Sequence, residues 1–165
     1  MDLTRILKHL LLPQWRVQQA FPKSSLKAIE LAVMASETDH DGELRFAIEG
    51  GLNLADLLRG MTARQRAVEL FARLRVWDTA HNSGVLIYVQ LADRRVEILA
   101  DRGINQRVGA ATWQRICGEM QKAFGDDRFE AGAVAGVRAV GKVLAEHFPA
   151  RRENPDELPD APVVL

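Results

Sequence analysis

The chain has 165 residues, 47% of them apolar, with 22 basic side chains against 22 acidic ones, the make-up of one folded domain with short extensions. Balanced charge excludes a nucleic-acid surface of the kind built on a surplus of Lys and Arg. Cys117 is the lone cysteine, so an intrachain disulfide and a cysteine zinc site are excluded, and a cytoplasmic setting is expected.

Leu3, Ile6, Leu7 and Leu10 recur at helical spacing and predict a short amphipathic helix over residues 3–12, ending before Pro13. Lys8 and His9 interrupt its apolar residues and no small-residue cleavage site follows, so it does not read as an export signal. No apolar run reaches the roughly 20 residues of a transmembrane segment. Residues 1–27 carry Arg5, Lys8, Arg16, Lys23 and Lys27 against Asp2, and a basic amphipathic arm can lie on a membrane or grip a partner. The commoner use of such a stripe is burial, so the arm (residues 1–22) is expected to fold its leucines back on the domain.

The domain proper is expected over residues 23–150. After Pro22, Ser24 or Ser25 is positioned to cap a helix with Leu26, Ile29 and Val33 inward, ending near Thr38. Glu43 to Glu49 alternates as a strand, with Leu44, Phe46 and Ile48 on one face and Glu43, Arg45 and Glu49 on the other. Thr62 caps the next helix. Val85 to Leu91 is a nearly continuous apolar run, the mark of a strand covered on both faces. Asp93-Arg94 reads as a tight turn into a third strand through Val96, Ile98 and Ala100. Two helices follow, striped by Trp113, Ile116, Cys117, Met120 and Phe124, and by Ala133, Val137, Val140 and Leu144. Gly132 and Gly136 allow these two a close approach. Residues 151–165, rich in proline and mixed charge, read as a disordered tail.

The fold class that follows is α/β, a mixed β-sheet flanked by helices. Strands one and two, joined through a helix, run parallel, and strand three returns antiparallel by a hairpin. Three segments then meet at one edge of the sheet. They are the entry to strand one (Glu37, Asp39, His40, Asp41), the entry to strand two (Asp78, His81, Asn82) and the exit of strand three (Asp101, Arg102). Oxygen donors gathered there suit a hard cation such as calcium or magnesium, although Asp and Asn also serve simply as caps and turn formers. His40 and His81 are placed to move protons, but each reads better as a surface loop residue. Cys117 falls on a buried stripe and reads as a packed thiol.

Two stretches carry a resemblance. Ala35-Ser36-Glu37-Thr38 leads into Gly42-Glu43-Leu44-Arg45. Val76-Trp77-Asp78-Thr79-Ala80-His81-Asn82-Ser83-Gly84-Val85-Leu86-Ile87-Tyr88 is followed by Ala92-Asp93-Arg94-Arg95-Val96-Glu97-Ile98 and Asp101-Arg102-Gly103-Ile104. Together they resemble the TPM domain family of bacterial proteins over residues 25–148. The resemblance implies an α/β/α sandwich and a divalent cation, calcium or magnesium, held by Glu37, Asp78, Asn82 and Asp101. It implies either an interaction module linked to a LemA-like membrane-associated partner or a metal-dependent phosphatase acting on phosphate monoesters. Ser83 stands where a second Asn is usual, and Asp101-Arg102-Gly103 replaces a glycine-led version.

Overall fold

The computed structural model describes residues 3–151 and 157–165. The chain forms α1 (Leu3–Leu10), α2 (Gln14–Ala20), α3 (Lys23–Glu37), β1 (Leu44–Glu49), α4 (Leu54–Leu58), α5 (Ala63–Arg73), β2 (Val85–Gln90) and β3 (Arg95–Ala100). It continues through α6 (Arg102–Asn105), α7 (Ala110–Gly125), α8 (Phe129–His147) and β4 (Val163–Val164). The sheet order is β3-β2-β1-β4: β1 runs parallel to β2 with Leu44 opposite Val85, and β3 runs antiparallel with Ala100 opposite Val85. The expected directions of the three core strands are therefore present.

Alternation along the strands divides the core in two. Leu44, Phe46, Ile48, Val85, Ile87, Val89, Val96 and Ile98 face α3, α7 and α8. Ala47, Leu86, Tyr88 and Leu99 face α5, through Ala63, Ala67 and Leu70. Helices thus cover both faces, and β2 is buried along its whole length, as its unbroken apolar run requires. Thr62 and Gln65 cap α5 reciprocally. The α7–α8 contact is close at Gly136, where a Cβ would lie 2.3 Å from the Met120 sulfur. At the entry to β2 a Cβ on Gly84 would lie 1.9 Å from the Val76 carbonyl oxygen, so the loop closes on this strand only with glycine there.

Several expectations are corrected. α3 begins straight after Pro22 with no side-chain cap; Ser25 Oγ instead donates to Glu130 at 2.6 Å, tying α3 to α8. The short helices α2, α4 and α6 were not expected. The other face of β1 is buried too, because each charge on it finds a partner. Arg66 grips Glu49 through two nitrogens at 2.6 and 3.0 Å, and the Tyr88 hydroxyl donates to Glu49 at 2.5 Å. Burial and the neighbouring Glu49 together push the Tyr88 phenol up.

The tail reading fails for residues 157–165, while 152–156 lie outside the described residues. Val163 and Val164 add a parallel strand against Ala47 and Ile48, and Leu158 is buried against the α5 side of the sheet. The backbone amides of Glu157 and Leu158 donate to Glu43, and Arg45 donates to the Ala161 carbonyl. A charged strand face thus becomes an edge that holds the C-terminal segment.

Candidate functional site

At the edge where β1 and β2 begin and β3 ends, the chain brings the expected segments near one another in the backbone. The Asp101 amide donates to the Gly84 carbonyl, and the Gly103 amide donates to the Asn82 carbonyl at 2.9 Å. Asp101 caps α6: its Oδ1 accepts from the Arg102 amide at 2.7 Å, while Oδ2 is buried with no hydrogen-bond partner among the described residues. Asn82 is exposed, at φ 50°, in the left-handed region that Asn tolerates.

The side chains of Glu37 and Asp78 go elsewhere. Asp78 is exposed and pairs with Arg75 on the loop surface. Glu37 accepts from the Leu44 amide at 3.2 Å and bonds Asp160 of the C-terminal segment. Burial, the Asp160 bond and the nearby Glu43 charge push the Glu37 carboxyl up to about 9, so it carries a proton at neutral pH. A protonated carboxyl is a poor ligand for a hard cation. Among the described residues no three His, Cys, Asp or Glu side chains gather as a metal group. As arranged, Glu37 and Asp78 are engaged with Asp160 and Arg75, while Asp101 Oδ2 is left without a hydrogen-bond partner among the described residues.

The neighbours of that edge are occupied. His40, expected on the surface, is fully buried, with Nδ1 2.8 Å from the Gly42 carbonyl, and burial lowers its pKa. Asp41 receives the Arg151 amide at 2.8 Å and the Arg151 guanidinium at 3.0 Å. His81 stays exposed. Burial pushes the Cys117 thiol up to about 11, in keeping with a packed, unreactive sulfur.

The opposite end of the sheet, where β1 and β2 finish, holds what sequence reasoning missed. On α1, Arg5 and His9 are four residues apart and share one face, which is the inner one. The Arg5 guanidinium donates to Asp93 at 2.9 and 3.0 Å and to the Met61 carbonyl at 2.7 Å. His9 is buried; its Nδ1 accepts from the Leu52 amide at 2.9 Å, which leaves the proton on Nε2, 2.9 Å from Asp93 Oδ1. Burial alone would raise the Asp93 carboxyl, but Arg5 and His9 outweigh it and hold it below its usual range. Asp93, expected only to form a turn, is the anchor of the arm.

The apolar stripe consequently faces outward. Leu3, Leu7 and Leu10 of the stripe are 65%, 56% and 50% exposed and Ile6 is half-buried; Leu11 beyond it is 72% exposed, against 4% for His9. This corrects the expectation that the stripe folds back on the domain. α4, packed against α1, adds exposed Leu54 and Leu58, and Trp15 at the head of α2 is exposed with the Arg16 guanidinium over its ring. The rest of the arm docks by apolar residues, through Leu12, Val17 and Phe21; Phe21 meets Phe124 and Phe129 edge to face.

The architecture and this surface define an α/β domain with a helical arm laid across one end of its sheet. The family model of the TPM domain matches residues 17–143, and the chain belongs to the TPM domain family. A solution structure of the BA42 protein from the psychrophilic bacterium Bizionia argentinensis is similar at 30% identity and TM-score 0.76, covering 86% of this chain and 93% of that one. The N-terminal domain of a protein from P. gingivalis shares the fold at 17% identity and TM-score 0.63, covering 86% and 95%. No curated protein matches the chain in sequence. No helix among the described residues is long and apolar enough to cross a membrane.

Proposed function

We propose that this TPM domain is an interaction module that works at a membrane surface and docks through the outward face of α1. The observation that carries this is the inverted helix: polar residues fasten it to the domain, which leaves its leucines to something else. An arm kept only for stability would bury them, because burial of apolar area is the larger gain. The reading favours binding over phosphate ester hydrolysis, because Glu37 and Asp78, which a hydrolytic cation would need, are engaged with Asp160 and Arg75. The cytoplasmic setting expected from the single thiol suits such a role.

The double variant Leu7→Glu, Leu11→Glu tests this. The melting temperature should stay within the change expected of surface substitutions, about 0.5 kcal/mol, while fluorescence of a surface-hydrophobicity dye falls sharply. A large loss of stability would mean that these leucines are packed, and would remove the docking face.

A second reading, a bound divalent cation, is favoured by the buried, unpartnered Asp101 Oδ2. Asp101 and Asn82 would hold it, and it would brace the loop entering β2. Millimolar calcium should then raise the melting temperature by mass action, and Asp101→Asn should abolish the gain. Equal melting with and without calcium would end this reading.

A further inference from the structure

The reading of α1 as a docking face at a membrane leaves open whether it meets the lipid or a protein held there, and the inference here rests on that reading. Beside the arm lies a cleft of about 270 Å³, bounded by α2, the β2–β3 turn, the end of α7 and the start of α8. Leu12 and Phe124 give it an apolar wall, and Arg16, Arg94 and Arg95 line its polar side. Asp127 also lines it, so three basic residues line the cleft against one acidic residue. None of the three arginines makes an ion pair among the described residues. The backbone at Arg94 is fixed: it sits at φ 52°, and its carbonyl accepts from Gln121 Nε2 at 3.3 Å. Lys8, exposed on α1, adds a further positive charge beside the leucines.

We propose that this end of the domain seats on an anionic lipid bilayer, with the arginine-lined cleft holding a headgroup phosphate and Leu3, Leu7, Leu10, Leu11 and Trp15 entering the interface. Guanidinium groups match phosphate oxygens in paired hydrogen bonds. Leucines at helical spacing, with a tryptophan and flanking cations, are the chemistry of an interfacial helix. A few leucines alone bind membranes weakly, so apolar and electrostatic signals act together here. A second copy of the chain fits less well, because symmetric pairing through this end would bring two sets of arginines together.

The experiment is sedimentation of the full chain with vesicles of phosphatidylcholine, with or without phosphatidylglycerol. Two variants accompany it: Leu7→Glu, Leu11→Glu and Arg94→Gln, Arg95→Gln. The wild type should sediment with the anionic vesicles alone and be released by salt. Each double variant should lose about tenfold or more in affinity, while melting as the wild type does. Wild-type protein that stays in the supernatant with anionic vesicles would overturn the lipid assignment. If it still binds the hydrophobic dye in a leucine-dependent way, the docking face stands and its occupant is a protein. Vesicle binding unaffected by the arginine variant would remove the headgroup cleft. A melting shift with inorganic phosphate, unaccompanied by vesicle binding, would assign the cleft to a soluble phosphate instead and overturn the proposal.

Discussion

Asp93→Ala should release the arm and cost about 2–3 kcal/mol, since one carboxylate answers two groups on α1. Arg5 would keep its bond to the Met61 carbonyl, and His9 would keep the Leu52 amide, but both would lose the Asp93 carboxylate. Amide exchange should report the loss as faster exchange confined to α1 and the Leu52 amide, ahead of any change in β1–β3. The pH dependence has a definite sign. The Asp93 carboxyl is depressed in the folded state, so its contribution is present above the ordinary carboxylate range and lost as the pH falls through the folded value. Asp93→Ala should therefore flatten the acid limb of the stability curve. Unchanged exchange in α1 would show that something other than Asp93 holds the arm.

Glu37→Gln should do the opposite and stabilise the protein at neutral and alkaline pH. The folded state keeps a proton on Glu37 up to about 9, whereas the unfolded chain releases it near 4.5, so wild-type stability falls as pH rises through that window. Glutamine keeps the size, can accept from the Leu44 amide and can donate to Asp160, yet never ionises. With allowance for partial solvent screening, the gain should be about 2 kcal/mol at pH 8 and vanish toward pH 4. Urea unfolding midpoints at several pH values measure this directly. Parallel pH curves for the two proteins would contradict the buried, proton-bearing Glu37.

What the sequence disclosed, and what it hid, follow from the range of the forces involved. Period-two alternation and hairpin turns are local, so the order and directions of β1, β2 and β3 were legible from Leu44, Val85 and Val96 onward. The orientation of α1 depends on Arg5 and His9 meeting Asp93, 88 residues further along from Arg5, and a stripe of leucines alone argues for the reverse. The partners of Glu43, Arg45 and Glu49 were not legible, because nothing nearby in the chain announces Arg66, or amides from residues 157 and 158. Of Glu37, Asp78, Asn82 and Asp101, the backbone joins the Asn82 and Asp101 segments at one sheet edge, through the Gly103 amide on the Asn82 carbonyl and the Asp101 amide on Gly84. The side chains of Glu37 and Asp78 turn to Asp160 and Arg75 instead, since topology places Cα atoms and does not aim carboxylates. The short apolar ending Val163-Val164-Leu165 was the one local hint that the tail pairs with β1.

The parallel placement of β4 on β1 has a practical consequence. Leu165 donates its amide to the Ile48 carbonyl, so the strand leaves the sheet at the end where β1 runs into Gly50 and α1 lies across it. Anything joined after Leu165, whether a fluorescent protein, an affinity tag or a surface linker, emerges at the end of the sheet that carries the arm. A bulky fusion there would stand between the domain and whatever it rests on, while a flexible tether would hold it in the working orientation. Immobilisation through that end is accordingly the geometry that places the arm's leucines against the support, and attachment at Asp78 or His81 is the one that leaves them free.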